Sequence, residues 1–370
     1  MAAANALLQR GVEARVYEQT PALTEVGAGV ALAPNGLRAL RGFGFGEAVA
    51  RWGSTWEDAR YFRSDGTEIG PMLPEYVEQM GFHRADLLDL LARDLPRDVI
   101  HTGSRCVGFD QDGEQAKVAF SSGEVIAADV VVGADGIHST LQGYVTPPAA
   151  PLFSGTMAYR GVLPSAAVGW PAGAVRNWLG FSKHFLVYPV RGGELLNYVA
   201  FVPTDEEMKE SWSAAGDPAA LAAEYAGWDP VVEGIISKVE TTFRWGLYDR
   251  EPLPRWTNGR LTLLGDAAHP MLPHAGQGAN QAIEDALALG VLLGEASPRT
   301  APRLLRAYES LRRERTARVQ RLARARGTMK ESASDDLSTG ELARATEAVD
   351  HGAWLREYDV EAEALAVVSR

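Results

Sequence analysis

One run of the chain constrains the fold more than any other. It reads Leu261-Thr262-Leu263-Leu264-Gly265-Asp266-Ala267-Ala268-His269-Pro270 and continues through His274-Ala275-Gly276-Gln277-Gly278-Ala279-Asn280-Gln281 to Ala286. The apolar segment before Gly265 has strand length. Pro270 and Pro273 interrupt regular structure, and Gly276 and Gly278 remove side chains ahead of a helical pattern that starts near Asn280. The run therefore predicts a strand, a tight loop and a helix N-terminus. Such a terminus presents unpaired N–H groups and a partial positive charge to an electron-rich ligand. Asp266, at the strand's end, is placed to accept hydrogen bonds from ligand hydroxyls. A plain strand–loop–helix joint needs far fewer specified residues, so the run reads as a binding element. Its candidate ligand contacts are Asp266, Gly276, Gly278, Ala279 and Asn280.

The first 150 residues supply pieces that suit the same ligand. Residues 2–10 predict a helix ended by Gly11, and Val12 to Glu18 a strand. In a dinucleotide fold, an acidic residue at the end of the second strand hydrogen-bonds the adenosine ribose, which makes Glu18 a candidate. The preceding strand and its Gly-x-Gly-x-x-Gly turn are absent. Either the natural chain begins upstream of Met1, which is the reading preferred, or the usual pyrophosphate cradle is lost. Gly27-Ala28-Gly29-Val30-Ala31 allows close backbone approach. Residues 36–50 read as helical with a glycine-rich interruption, and Ser64-Asp65-Gly66-Thr67 as a hairpin turn. Phe82-His83-Arg84 opens another helix, and Arg84 offers a planar cation to phosphate oxygens. Asp129 to Ser139 reads as a buried strand entering a tight turn at Gly133-Ala134-Asp135-Gly136.

Pro147-Pro148-Ala149-Ala150-Pro151 marks a boundary. Residues 152–250 then alternate β-branched and aromatic residues and predict an antiparallel sheet. Within it, His184 and Tyr188 differ by four and share a strand face. Trp178, Phe185, Tyr188 and Phe201 are expected mostly in the core, with a minority lining an aromatic pocket. Residues 205–230, with Trp212, Tyr225 and Trp228, read as helical and polar. Arg303 to Lys330 reads as a long scaffold helix with a solvated basic face, and residues 341–370 as a polar helical tail.

These motifs together resemble the FAD-dependent aromatic hydroxylases, the para-hydroxybenzoate hydroxylase-like flavoprotein monooxygenases. The branch they approach most is that of the salicylate, 3-hydroxybenzoate and 6-hydroxynicotinate hydroxylases. The resemblance implies an α/β fold: a three-layer Rossmann-like FAD-binding domain, interleaved with an antiparallel substrate sheet and followed by C-terminal helices. The expected division is 1–150 for the first part of the FAD-binding domain and 151–255 for the sheet. Residues 256–330 form the closing part with the long helix, and 331–370 the tail. By the same resemblance, Asp266 holds the ribityl chain and the helix N-terminus faces the pyrimidine end of the flavin. Gly29 and Val30 pass the flavin ring, Arg84 reaches the pyrophosphate, and Asp135 serves FAD and the nicotinamide donor. Thr140-Leu141-Gln142 stands where the family often carries an arginine, so the choice between NADH and NADPH stays open. His184, Tyr188 and His274 are the candidate catalytic residues facing the substrate, whereas His269 reads as structural. The implied reaction is hydroxylation of a small phenolic or heteroaromatic substrate with NAD(P)H and O2 through a flavin C4a-hydroperoxide. The same scaffold also admits an epoxidase, a decarboxylating hydroxylase, or a catalytically silent flavin-fold binding protein.

Composition removes other classes. The 370 residues are 46% hydrophobic, enough for a large core, and the formal net charge of -12 argues against a nucleic-acid partner. The single cysteine, Cys106, excludes an internal disulfide and a cysteine metal cluster, and suits the cytoplasm. No apolar run approaches the roughly 18 residues of a membrane span, so no stable membrane association is expected. The assembly is expected to be a monomer or a homodimer.

Overall fold

An eight-stranded sheet carries the middle of the chain. In spatial order its strands are Ala215–Gly216, Thr242–Asp249, Leu152–Pro164, Leu195–Pro203, Lys183–Val190, Ala174–Gly180, Asp58–Arg63 and Glu68–Pro71. The computed structural model describes residues 1–23, 27–73, 77–205, 214–331 and 352–369. Pairing is antiparallel throughout, except where Ala174–Gly180 runs parallel to Asp58–Arg63. The hairpin at residues 58–71, far upstream, thus extends the sheet. Its turn is made at Gly66 (φ +88°).

The period of two sorts side chains onto two faces. On one face Trp178, Phe185, Val187, Leu196 and Tyr198 pack against Leu221, Tyr225, Trp228, Val232 and Ile235. Those last residues belong to, or flank, two short helices, Pro218–Glu224 and Pro230–Ile236. Each begins with an aspartate cap, Asp217 or Asp229, and a proline in the first turn. Trp178 Nε1 also donates to Asp229 at 2.7 Å, which fastens the second helix to the sheet. The stretch read as polar therefore covers a hydrophobic face. Trp212 lies outside the described residues.

The other layer is built on two parallel pairs, Val131–Gly133 with Leu261–Leu263 and Val16–Tyr17 with Ile100–His101. The strand expected over residues 12–18 shrinks to two residues because its partner is equally short. Helices Ala2–Leu8, Pro34–Gly42 and Gly278–Gly294 share one core with Leu261, Leu263, Leu304, Leu305 and Tyr308. The alanine-rich start has a packing reason: a Cβ on Gly290 would lie 2.5 Å from Ala6 Cβ.

Helix Ala301–Glu331 joins the layers. Tyr308 Oη donates to the Leu263 carbonyl at 3.1 Å, and Gln320 Nε2 to the Pro270 carbonyl at 2.9 Å. The expectation of a solvated basic face is corrected. Arg312 is fully buried between Glu284 and Asp285, Arg315 reaches Glu284, Arg324 pairs with Asp249, and Lys330 is buried. Only part of the basic set, including Arg303, Arg306, Arg318 and Arg321, is exposed. The expected polar tail is corrected too: in helix Val360–Val368, Val360 and Ala364 are buried in the first core. Residues 332–351 lie outside the described residues.

Candidate active site

The strand Leu261–Leu263 ends at Gly265, whose φ of +61° turns the chain sharply. Asp266 follows as the one exposed residue of the run 261–270. Surrounding protein crowds its carboxyl and raises its pKa, against the lowering pull of His269 and Arg84. The carboxylate is thus crowded by its neighbours yet open to solvent.

Across the loop, Gly276 (φ +61°) is exposed, and Gly278 and Ala279 are half-buried. They open the 17-residue helix Gly278–Gly294, whose first turn receives no side-chain cap. Its N–H groups and dipole are available to a ligand. Asn280 has another task. Its amide accepts from Ala33 N (2.9 Å) and donates to Ala31 O (3.1 Å) and Gly276 O (2.7 Å), so its side chain ties the two loops together.

A buried network fixes this helix from behind. His269 Nε2 and Asp285 Oδ2 are 2.6 Å apart, and Arg312 Nε lies 2.8 Å from Asp285 Oδ1. Burial alone would raise the Asp285 pKa, but His269 and Arg312 hold it down to about 2. Asn35 and Arg315 complete the network at Glu284.

Strand Gly29–Leu32 pairs antiparallel with Met80–His83. Val30 there is half-buried. At Gly29 the close neighbour is the large sheet: its N–H donates to Asn197 Oδ1 at 2.6 Å, and a Cβ would sit 2.8 Å from Tyr188 Oη. Arg84 begins helix Arg84–Arg93, and its N–H donates to Ala28 O at 2.9 Å. Its charge is felt at both Asp266 and Tyr188, so these three groups converge. Uncapped amides, an open carboxylate and a guanidinium suit a ligand with hydroxyls and phosphates.

Glu18 and Asp135 lie farther along the same layer. Glu18 follows strand Val16–Tyr17 and accepts from Thr20 N at 2.8 Å. Asp135 is exposed, and its carboxylate caps its own turn through Ser139 Oγ (2.5 Å) and Thr140 N (2.7 Å).

His184 and Tyr188 share a face of the sheet, but the structure separates their surroundings. Four residues of strand put them about 13 Å apart. Tyr188 packs on Trp56 with ring centroids 5.3 Å apart, and burial raises its pKa. His184 instead stacks on Phe201 at 3.9 Å and lies 5.5 Å from the His274 ring. All four nitrogens of the two imidazoles are buried without a hydrogen-bond partner among the described residues. Burial, then the charge of Lys330, pulls His184 well below its ordinary range and His274 down to about 3. Both are neutral near pH 7.

Two residues of this cluster are not read from the sequence as site residues. Tyr225 Oη lies 3.1 Å from the His184 carbonyl and 2.9 Å from that of Phe201, bracing the strands from behind. Nothing local in the sequence marks it. Lys330 had a signal. It follows Val319, Ala323 and Gly327, all buried, at intervals close to the 3.6-residue turn, so it continues an inward stripe.

Comparison with known proteins identifies the family. The FAD binding domain family matches residues 1–323. A salicylate hydroxylase of Pseudomonas putida is 34% identical, over 95% of this chain and 88% of its own length. A 3-amino-4-hydroxybenzoate 2-monooxygenase of Streptomyces cremeus is 38% identical, over 86% of this chain and 82% of its own. A solved salicylate hydroxylase substrate complex, 29% identical, superposes with a TM-score of 0.85 over 100% of this chain and 95% of that one. The chain therefore belongs to the FAD-dependent aromatic hydroxylases, a family of flavoprotein monooxygenases that take their electrons from NAD(P)H.

Proposed function

We propose that the cluster of His184, His274 and Phe201 holds the ring of a hydroxylated aromatic acid, and that the chain hydroxylates that ring. The observation that carries this is the pair of buried, neutral imidazoles beside an aromatic face, unpartnered among the described residues, one on strand Lys183–Val190 and one in the loop that leads into the uncapped helix. The two relatives act on salicylate and on an aminohydroxybenzoate. Both are phenolic acids, which supplies the chemical class.

Bound FAD, reduced by NAD(P)H, supplies the activated oxygen. The protein orients, excludes water and handles the proton. Asp266 holds ribityl hydroxyls, the amides of Gly278, Ala279 and Asn280 meet the pyrimidine end, and Arg84 meets the pyrophosphate. Glu18 takes the adenosine ribose. Gly29 and Val30 flank the ring, while Gly276 keeps the opposing loop free of a side chain. Asp135, by capping its turn, shapes the segment nearest the nicotinamide donor. Tyr188 stays protonated and positions the Gly29 strand. A phenol near pKa 10 is a weak nucleophile until it loses its proton, and a neutral histidine is the group suited to receive it. We assign that role to His184, with His274 as its competitor. In this reading residues 1–150 and 256–330 hold the cofactor, 151–255 with the hairpin at 58–71 hold the substrate, and the tail closes the cofactor side. The cytoplasm is the compartment a single half-buried cysteine suits.

The test is the ratio of hydroxylated product to NAD(P)H oxidised, across pH 6 to 9, over a panel of aromatic acids. In His184→Ala, FAD binding should persist and hydroxylation should slow by about 10²–10⁴-fold, with hydrogen peroxide appearing instead of product. An unchanged ratio in His184→Ala with a collapse in His274→Ala would transfer the role to the loop. No change in either variant would leave both histidines without it.

A further inference from the structure

Lys330 is a buried cation with no anion among the described residues. It lies at the end of helix Ala301–Glu331 and is only 6% exposed. Its ammonium makes one hydrogen bond among the described residues, a long one of 3.4 Å to the His274 carbonyl. The other buried cation of the helix, Arg312, has two carboxylates. Lys330 has none among the described residues, although an ammonium carries three donors and burying one unpaired is costly.

The helix is pressed toward the histidines at a specific point. Gly327, one turn before Lys330, leaves room for the His274 ring: a Cβ there would sit 2.6 Å from His274 Cδ2. The next turn delivers the ammonium to the same cluster, where its charge reaches both His184 and His274. The groups facing it are His184 from strand Lys183–Val190, His274 from the loop and Arg326 from its own helix; Phe201, from strand Leu195–Pro203, is apolar. Among the described residues, every charged or titratable group named around this point is a base. What would complete it is a carboxylate.

We propose that Lys330 is the specificity-determining residue that receives the carboxylate of an aromatic acid, while His184 and His274 receive its ring hydroxyl. This rests on the reading of the histidine cluster as the substrate site. Burial, then the charge of Arg326, brings the Lys330 pKa down to about 7, so the free site carries its proton only in part near neutral pH. An incoming carboxylate favours the ammonium form. It also cancels the positive charge that both imidazoles feel, which raises their proton affinity when the phenol must be deprotonated. An acid would thus be both held and activated, and its amide would be neither.

The experiment uses FAD-loaded enzyme and two matched ligand pairs: salicylate with salicylamide, and para-hydroxybenzoate with para-hydroxybenzamide. Dissociation constants come from the change in flavin fluorescence. In the wild type, the acid of at least one pair should bind about 10- to 100-fold more tightly than its amide, as expected for a hydrogen bond between charged groups. Lys330→Met should bring that ratio near one by weakening the acid alone. Lys330→Arg should keep most of it. Lys330→Met removes a buried charge and should fold at least as stably; Lys330→Gln is the second variant if it does not. A wild-type ratio near one, or an equal ratio in wild type and Lys330→Met, overturns the proposal. If that ratio is insensitive to Lys330 while His184→Phe weakens acid and amide alike, the lysine proposal falls and the substrate-site reading stands. If no ligand perturbs the wild-type flavin, both fall.

Discussion

At the scale of single residues, the carboxylates of this chain divide by what already engages them. Asp135 caps its own turn and Asp285 is locked to His269 and Arg312. Among the described residues, Asp266 makes no such contact, and it stays open to solvent. Asp266→Ala should therefore weaken FAD binding by roughly ten- to a hundredfold, the loss expected for about 1–3 kcal/mol of hydrogen bonding. Flavin titration of the apoprotein measures it, and an unchanged dissociation constant with wild-type circular dichroism would remove Asp266 from the site. The sequence made Asp266 legible because its surroundings are local: a strand, a glycine and a helix start. Gly29 was legible only in part. A glycine announces a close approach, but that Tyr188 and Asn197 are what approach it depends on strands more than 150 residues away.

At the scale of elements, helix Gly278–Gly294 is held at its buried end by a charge network and left open at its first turn. Glu284 and Asp285 are fully buried and share Arg312. Removing one partner of such a pair leaves an uncompensated charge. Arg312→Ala should lower stability by about 3–5 kcal/mol and reduce FAD content as the helix loses its anchor. Urea unfolding followed by fluorescence checks the first effect; an unchanged midpoint would mean that the network carries little of the fold. Helices were the most legible elements, since their apolar stripes are long. Helix Ala301–Glu331 was foreseen nearly end to end, yet its charges were misread as solvated, because the acids that meet them come from other segments. Short strands fared worse. Val16–Tyr17 is a strand only through Ile100–His101, and no local pattern fixes its ends.

At the scale of the whole molecule, the same histidine cluster ties stability to pH. His274 titrates near 6.5 when unfolded and at about 3 in the fold, and His184 is shifted in the same direction. Between those values the unfolded chain binds more protons, so this contribution is complete above about pH 6.5 and is lost as the pH falls toward 3. The ligand-free wild type should lose stability over that window more steeply than His274→Gln. Thermal melts at half-unit pH steps compare the two, and parallel curves would contradict the burial argument. The large sheet was legible as alternation over residues 152–250, but its enlistment of the hairpin at 58–71 was not. That pairing is parallel and long-range, and it leaves no periodic trace in either segment.

Helix Ala301–Glu331 carries angle as well as distance. Tyr308, beneath the strand that leads to Asp266, and Lys330, beside His274, are separated by roughly six turns, or about 33 Å. Both point inward, so the winding must stay in phase over that whole length. A drift of only a few degrees per residue would swing the ammonium away from the imidazoles while Tyr308 stayed in place. Arg312 and Arg324, each gripping carboxylates from other segments, clamp the rotation at two intermediate points. The helix is in this sense a torsion bar, and its arginines set the dial on which one lysine is read.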